Sequence, residues 1–114
     1  MVRATLLTGA LVGTVAWAAV LTAHAAALAQ PPTAERRADL MNLLVQDCGS
    51  CHGLTMKGGL GSPLVPTALE DKEIDGLVAI ILDGIPDTPM PPWRGQLTEA
   101  EATWIAVQLK RGIR

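Results

Sequence analysis

The 114-residue chain contains no Phe and no Tyr, and its only aromatic side chains are Trp17, Trp93 and Trp104. A domain this small has trouble filling a core without large aromatics. It usually needs a staple such as a disulfide, a metal or a cofactor. Cysteine occurs only at Cys48 and Cys51, so a framework of several disulfides is excluded. Histidine occurs only at His24 and His52, which argues against a site built on several imidazoles. Lys and Arg number 9 against 11 Asp and Glu, for a net charge of −2. That balance argues against nucleic acid as a partner. No run of alternating apolar and polar residues suggests a strand, and no internal repeat is visible.

What is present begins with an export signal. Arg3 is followed by an apolar run from residue 4 to about residue 23, and Ala27-Leu28-Ala29 precedes Gln30. Small residues in that spacing suit signal peptidase. Residues 1–29 are therefore expected to be a signal peptide, cleaved before Gln30. The alternative is an uncleaved anchor, because the run is nearly long enough to span a bilayer. Gly9, Gly13 and several threonines weaken it as a span. Either outcome exports the domain, and the periplasm is the expected location. With His24 outside the fold, the domain keeps one histidine.

Residues 30–33 form a short extended leader, and residues 34–114 are expected to be a single all-α domain with three main helices and two long loops. The first helical pattern covers residues 34–48, with Leu40, Leu43 and Leu44 on one face, Thr33 as N-cap and Glu35 in the first turn. The second covers residues 72–83, where Ile74, Leu77, Val78, Ile81 and Leu82 repeat at helical spacing. Gly84 ends it and Pro86 prevents its resumption. The third opens on Thr98 with Glu101 three residues on, a capping-box pattern, and runs to Gly112. The connections at residues 53–66 and 85–96 are rich in Gly or Pro.

The sequence "DCGSCHG" at residues 47–53 carries the chemistry. A zinc site needs four ligands, and the domain offers Cys48, Cys51 and His52 with no further Cys or His. A thioredoxin-like redox pair belongs in a βαβ setting, for which there are no strands. Covalent haem needs only what is there. Residues i and i+3 share a helical face, so Cys48 and Cys51 can both reach the vinyl edge of one porphyrin, with His52 beside the iron. Zinc and a simple disulfide are the weaker alternatives.

No second histidine remains as a second axial ligand, and a thioether is the next common choice. Met41 lies within the first helix and reads as packing. Met56 is four residues after His52, on the proximal side. Met90 stands far downstream among Pro89, Pro91 and Pro92, which stiffen its loop and lower the entropy of placing one sulfur. Met90 is the expected distal ligand; the alternative reading is a Met that fills a gap in a proline-rich loop. With both axial positions filled, no site remains for substrate. The expected activity is one-electron transfer rather than catalysis.

The order helix, CxxCH, glycine loop, helix, Met loop and C-terminal helix resembles class I cytochrome c. Within it, "CGSCHGLTMKGGLG", "AIILDGIPDTPMPPW" and "LTEAEATWI" look like the small periplasmic NirC-type cytochrome, found with the cytochrome cd-type nitrite reductase. The resemblance implies one covalent haem c with its iron, thioethers at Cys48 and Cys51, His52 as proximal ligand and Met90 as distal ligand. It implies Trp104 packed against the first helix near Leu40 and Leu44. It further implies a redox protein partner, with nitrite reductase as the candidate. Two alternatives stand beside the carrier role: a maturation factor for that enzyme's special haem, and a haem subunit of a larger oxidoreductase. One departure bears on the site. Such families place proline directly after the loop glycine, and its carbonyl orients the axial histidine. This chain has Gly61-Ser62-Pro63, which leaves the acceptor for His52 open.

The expected form is a monomer that has left the membrane after cleavage. Lys57 and Arg94 are the cations of the two loops, too few for a charged docking ring. Leu54, Met56, Ile85 and the prolines near Met90 suggest an apolar docking patch instead.

Overall fold

A computed structural model describes residues 30–113; the expected signal peptide lies outside the described residues. Pro31 and Pro32 cannot donate backbone hydrogen bonds, so the chain enters extended, and Thr33 starts the first helix. Its hydroxyl accepts the Arg36 N–H at 3.2 Å, capping α1, Ala34–Leu43. The helix does not stop at Leu43. It continues through a π-helical turn, Leu44–Cys48, in which the Gly49 N–H reaches back to the Leu44 carbonyl. It resumes as the short α2, Gly49–His52. The expected first helix is thus extended by one turn; Cys48 closes the π turn, and the added turn carries Gly49 to His52.

Gly53 ends this run at φ +84°, where a Cβ would meet the Gly58 carbonyl oxygen at 2.6 Å. Only glycine allows that reversal without strain. The loop that follows contains an element the sequence pattern did not announce, α3, Pro66–Leu69, with proline in its first turn. Next come α4, Ile74–Asp83, and α5, Glu99–Arg111. The capping box of α5 is complete: the Thr98 hydroxyl accepts the Glu101 N–H, and the Glu101 carboxylate accepts the Thr98 N–H at 2.8 Å. All the described regular structure is helical, and none of these helices is long and apolar enough to cross a membrane.

The core is built from small and medium side chains. Leu40, Leu44, Met56, Leu69, Leu77, Val78, Leu82, Leu97, Ala102, Ile105, Ala106 and Leu109 are buried. Their distribution shows how the helices meet. α4 and α5 pack against each other, and Leu77, Val78 and Leu82 of the first and Ala102 and Ala106 of the second are buried. The face expected for α4 is therefore the buried one, with Ile74 and Ile81 at its partly covered edge. The N-terminal helix is joined to α5 by an ion pair, Arg36 Nε to Glu101 Oε1 at 2.6 Å. Lys110 of α5 donates to the carbonyls of Glu70 (3.2 Å) and Lys72, which holds the turn before α4. Trp104 is half-buried and borders an open groove with Pro31, Pro32 and Arg37. It lies on the flank of the helix pair, while Ile105 takes the deep position.

Candidate haem-binding site

The CxxCH turn is held from below by the loop that leaves it. Gly58 N–H donates to the His52 carbonyl and Gly61 N–H to the Cys51 carbonyl, both at 2.8 Å. Gly59 N–H donates to the Gly61 carbonyl at 3.0 Å, and Leu64 N–H to the Met56 carbonyl at 2.8 Å. Segment 58–64 is thereby strapped across the end of α2. The glycines permit this close approach. A Cβ on Gly59 would stand 2.7 Å from the Cys51 carbonyl, and one on Gly61 would stand 2.8 Å from His52 Nδ1.

His52 Nδ1 lies 2.7 Å from the Ser62 carbonyl oxygen. A carbonyl only accepts, so the ring nitrogen that meets it carries the proton. In the neutral ring Nε2 then keeps its lone pair, as a metal-binding imidazole requires. The acceptor that the sequence left open is thus Ser62, the residue before Pro63.

Cys48 and Cys51 are partly buried free thiols. Burial, reinforced by the neighbouring Asp47, pushes the Cys48 thiol up to about 11. A disulfide oxidoreductase needs the opposite, a thiol pushed down so that the thiolate attacks. Among the described residues, no three His, Cys, Asp or Glu side chains converge closely enough to hold a metal ion. The two thiols and the imidazole are instead spread along one turn. That arrangement fits an extended ligand carrying its own metal. Haem fits this donor set: two thiols at i and i+3, one imidazole with Nε2 free, and a thioether on a separate loop.

That loop is pinned at its base. Trp93 N–H donates to the Ile81 and Leu82 carbonyls at 3.2 and 3.1 Å, and Arg94 N–H to the Leu82 carbonyl at 3.0 Å. The Arg94 guanidinium pairs with the Asp83 carboxylate through contacts of 2.8 and 2.9 Å. At the other end, Ile85 N–H approaches the Met90 carbonyl at 3.3 Å, and the Thr88 hydroxyl donates to the Ile85 carbonyl at 2.8 Å. Met90 is half-buried in this closed loop. Met56, the other thioether near the site, is only 2% exposed and belongs to the core. Its backbone is left-handed at φ 57°, and its methyl carbon would lie 3.5 Å from a Cβ on Gly49.

Two expectations about the surface change. Met56 cannot take part in a docking patch, because it is buried. Arg94 is committed to Asp83, so Lys57 is the exposed cation left in the two loops. Leu54 and Ile85 are exposed as expected, at 65% and 44%. Leu60 at the tip of the glycine strap was missed and is 93% exposed.

Comparison with known proteins fixes the family. The family described as "Cytochrome C oxidase, cbb3-type, subunit III" matches residues 35–107. The chain belongs to the c-type cytochromes. It is 54% identical over 81 residues to cytochrome c55X of Pseudomonas aeruginosa, covering 71% of this chain and 68% of that protein. It is 54% identical over 80 residues to cytochrome c55X of Paracoccus denitrificans, covering 70% of this chain and 78% of that one. Among solved structures, the c-type cytochrome NirC is similar at 52% identity and a TM-score of 0.69, over 70% of this chain and 94% of that one. Dihydro-heme d1 dehydrogenase NirN in complex with DHE is similar at 33% identity and a TM-score of 0.59. That match covers 64% of this chain and 16% of the NirN chain. The cytochrome has the all-α class I fold, carries one covalently bound haem c with its iron, and is a mono-haem electron carrier. The small NirC-type cytochrome named from its loops is a close relative.

Proposed function

We infer that this cytochrome carries single electrons in the periplasm, between a donor and the nitrite reductase system of denitrification. The observation that supports this most directly is the Nδ1–Ser62 contact. It restrains the His52 ring and leaves Nε2 available as an iron ligand. Cys48 and Cys51 form the thioethers, His52 is the proximal ligand and Met90 the distal one. Haem supplies the one-electron couple, and thioether ligation raises its potential. The protein holds the ligands still, so little rearrangement accompanies the change of charge. With His52 and Met90 both bound to the iron, no ligand position would be left for a substrate, and the cytochrome would act as a carrier rather than as an enzyme.

A second reading is favoured by the match to part of NirN, a dihydro-heme d1 dehydrogenase. A dehydrogenation releases two electrons and two protons. A one-electron cytochrome would accept those electrons in two encounters, and so serve maturation of a tetrapyrrole. Deleting the gene separates the two roles. Mature reductase that contains its special haem but receives electrons slowly supports the carrier. Reductase lacking that haem supports maturation. Wild-type reductase content and rate would contradict both.

A further inference from the structure

The imidazole that faces the iron is oriented by a carbonyl that belongs to a Ser–Pro peptide bond. Ser62 and Pro63 are both exposed, so water competes for the Nδ1 proton at this point. A backbone carbonyl in a solvated glycine-rich loop would ordinarily hold such a bond only part of the time. Several features work against that here. Proline at 63 forces the preceding residue away from the α region and toward extended backbone, which restricts the direction of the Ser62 carbonyl. The Pro63 ring is seated on Gly58: a Cβ on Gly58 would meet Pro63 Cγ at 3.3 Å and Cδ at 3.4 Å. Gly58 is itself fixed, at φ +102°, by donating to the His52 carbonyl. The ring therefore rests on a residue bonded to the same histidine whose side chain it orients. Gly61 completes the enclosure, with room for the His52 ring and none for a side chain.

We propose that Pro63 is a positioning residue for the proximal ligand. It holds the Ser62 carbonyl on His52 Nδ1 and thereby sets how strongly Nε2 donates to the iron. The inference rests on His52 being that ligand. A firm acceptor on Nδ1 makes the imidazole more basic, which favours the ferric state and lowers the potential. Releasing Ser62 should do the reverse. The hydroxyl of Ser62 has no part in this, because the bond is to its carbonyl.

The test uses holo-protein and two readouts. One is the solvent-exchange rate of the His52 Nδ1 proton by NMR in the reduced state, and the other is the reduction potential. Wild type should exchange at least tenfold more slowly than an exposed imidazole. Pro63→Ala should exchange about tenfold faster than wild type and shift the potential upward, with covalent haem retained. Pro63→Gly, which lacks the ring on Gly58 and frees the backbone further, should exchange at least as fast as Pro63→Ala. Ser62→Ala should match wild type. Wild-type exchange as fast as a free imidazole overturns the proposal without any variant. So does a Pro63→Ala protein with wild-type exchange and potential, or a Ser62→Ala protein that shifts as far as Pro63→Ala. Absence of covalent haem, or of a histidine-ligated low-spin spectrum, in wild type would instead remove the ligand assignment on which the inference stands.

Discussion

A Cβ on Gly84 would lie 2.7 Å from the Met90 carbonyl oxygen and 2.9 Å from Pro92 N. The end of α4 and the Met90 loop therefore meet at a point where only hydrogen fits. Gly84 also sits at φ 69°, ψ −168°, a region essentially reserved for glycine. Gly84→Ala should cost about 1–3 kcal/mol from backbone strain alone. The loop, rather than the CxxCH turn, should move to relieve the contact. The expected variant keeps covalent haem, loses part of its near-infrared iron–thioether band, and binds cyanide faster than wild type. Absorption and cyanide-binding kinetics check this.

The Arg36–Glu101 pair gives a pH dependence. Burial resists ionisation of Glu101, but the Arg36 guanidinium and the Thr98 donors outweigh it and hold its carboxyl below the usual carboxylate range. The unfolded state thus binds this proton first as pH falls. The contribution is complete above the unfolded carboxylate range, about pH 4.3, and is lost as pH falls through the folded value. Glu101→Gln keeps the N3 side chain a capping box needs while removing the charge. Arg36 is 39% exposed, so screening limits the loss to about 1 kcal/mol near neutral pH. Denaturant unfolding of holo-protein should show that difference at pH 7, and the difference should shrink as pH is lowered below about 4.3.

The surface around the loops predicts weak salt dependence. Arg94 is neutralised locally by Asp83, and the exposed side chains Leu54, Leu60 and Ile85 are apolar. Screening over about 8 Å at physiological ionic strength then has little long-range attraction to remove. Electron-transfer rates with the physiological partner should vary only a few-fold between low and moderate salt. Leu60→Ser should slow them more than Lys57→Gln does.

The helix caps and the haem-attachment turn were legible because each rests on local chemistry. Thr33, the Thr98–Glu101 box and Gly84 act on backbone groups within a few residues, and CxxCH places its donors on one turn. The π turn at Leu44–Cys48 was hidden, since a shift in hydrogen-bond register leaves no trace in composition. The helix Pro66–Leu69 had a signal in its N-terminal proline, obscured by the Gly- and Pro-rich loop before it. The roles of Ser62 and Met56 depend on a loop folding back on itself, which residue pattern cannot report. The Arg36–Glu101 pair joins positions 65 residues apart, a distance at which only the fold decides who meets whom.

Covalent attachment has its own check. Holo-protein made in a host that matures c-type cytochromes should carry the mass of one haem and keep it through acid–acetone extraction. Cys48→Ala and Cys51→Ala should each lose most holo-protein, because one thioether alone would remain. A bare polypeptide mass with bound zinc would contradict the haem assignment.

The assignment of Met90 as the distal ligand carries most of the functional account. The measurement that tests it most directly is the near-infrared spectrum of the oxidised holo-protein in wild type, Met90→Ala and Met56→Ala. The loop pinned by Trp93 and Arg94, with Met56 buried in the core, predicts a weak iron–thioether band in wild type. It predicts that Met56→Ala keeps this band and that Met90→Ala abolishes it while retaining covalent haem. A band that survives in Met90→Ala and disappears in Met56→Ala would contradict the account, and would leave the proline-rich loop as a cover over the haem rather than the source of its ligand.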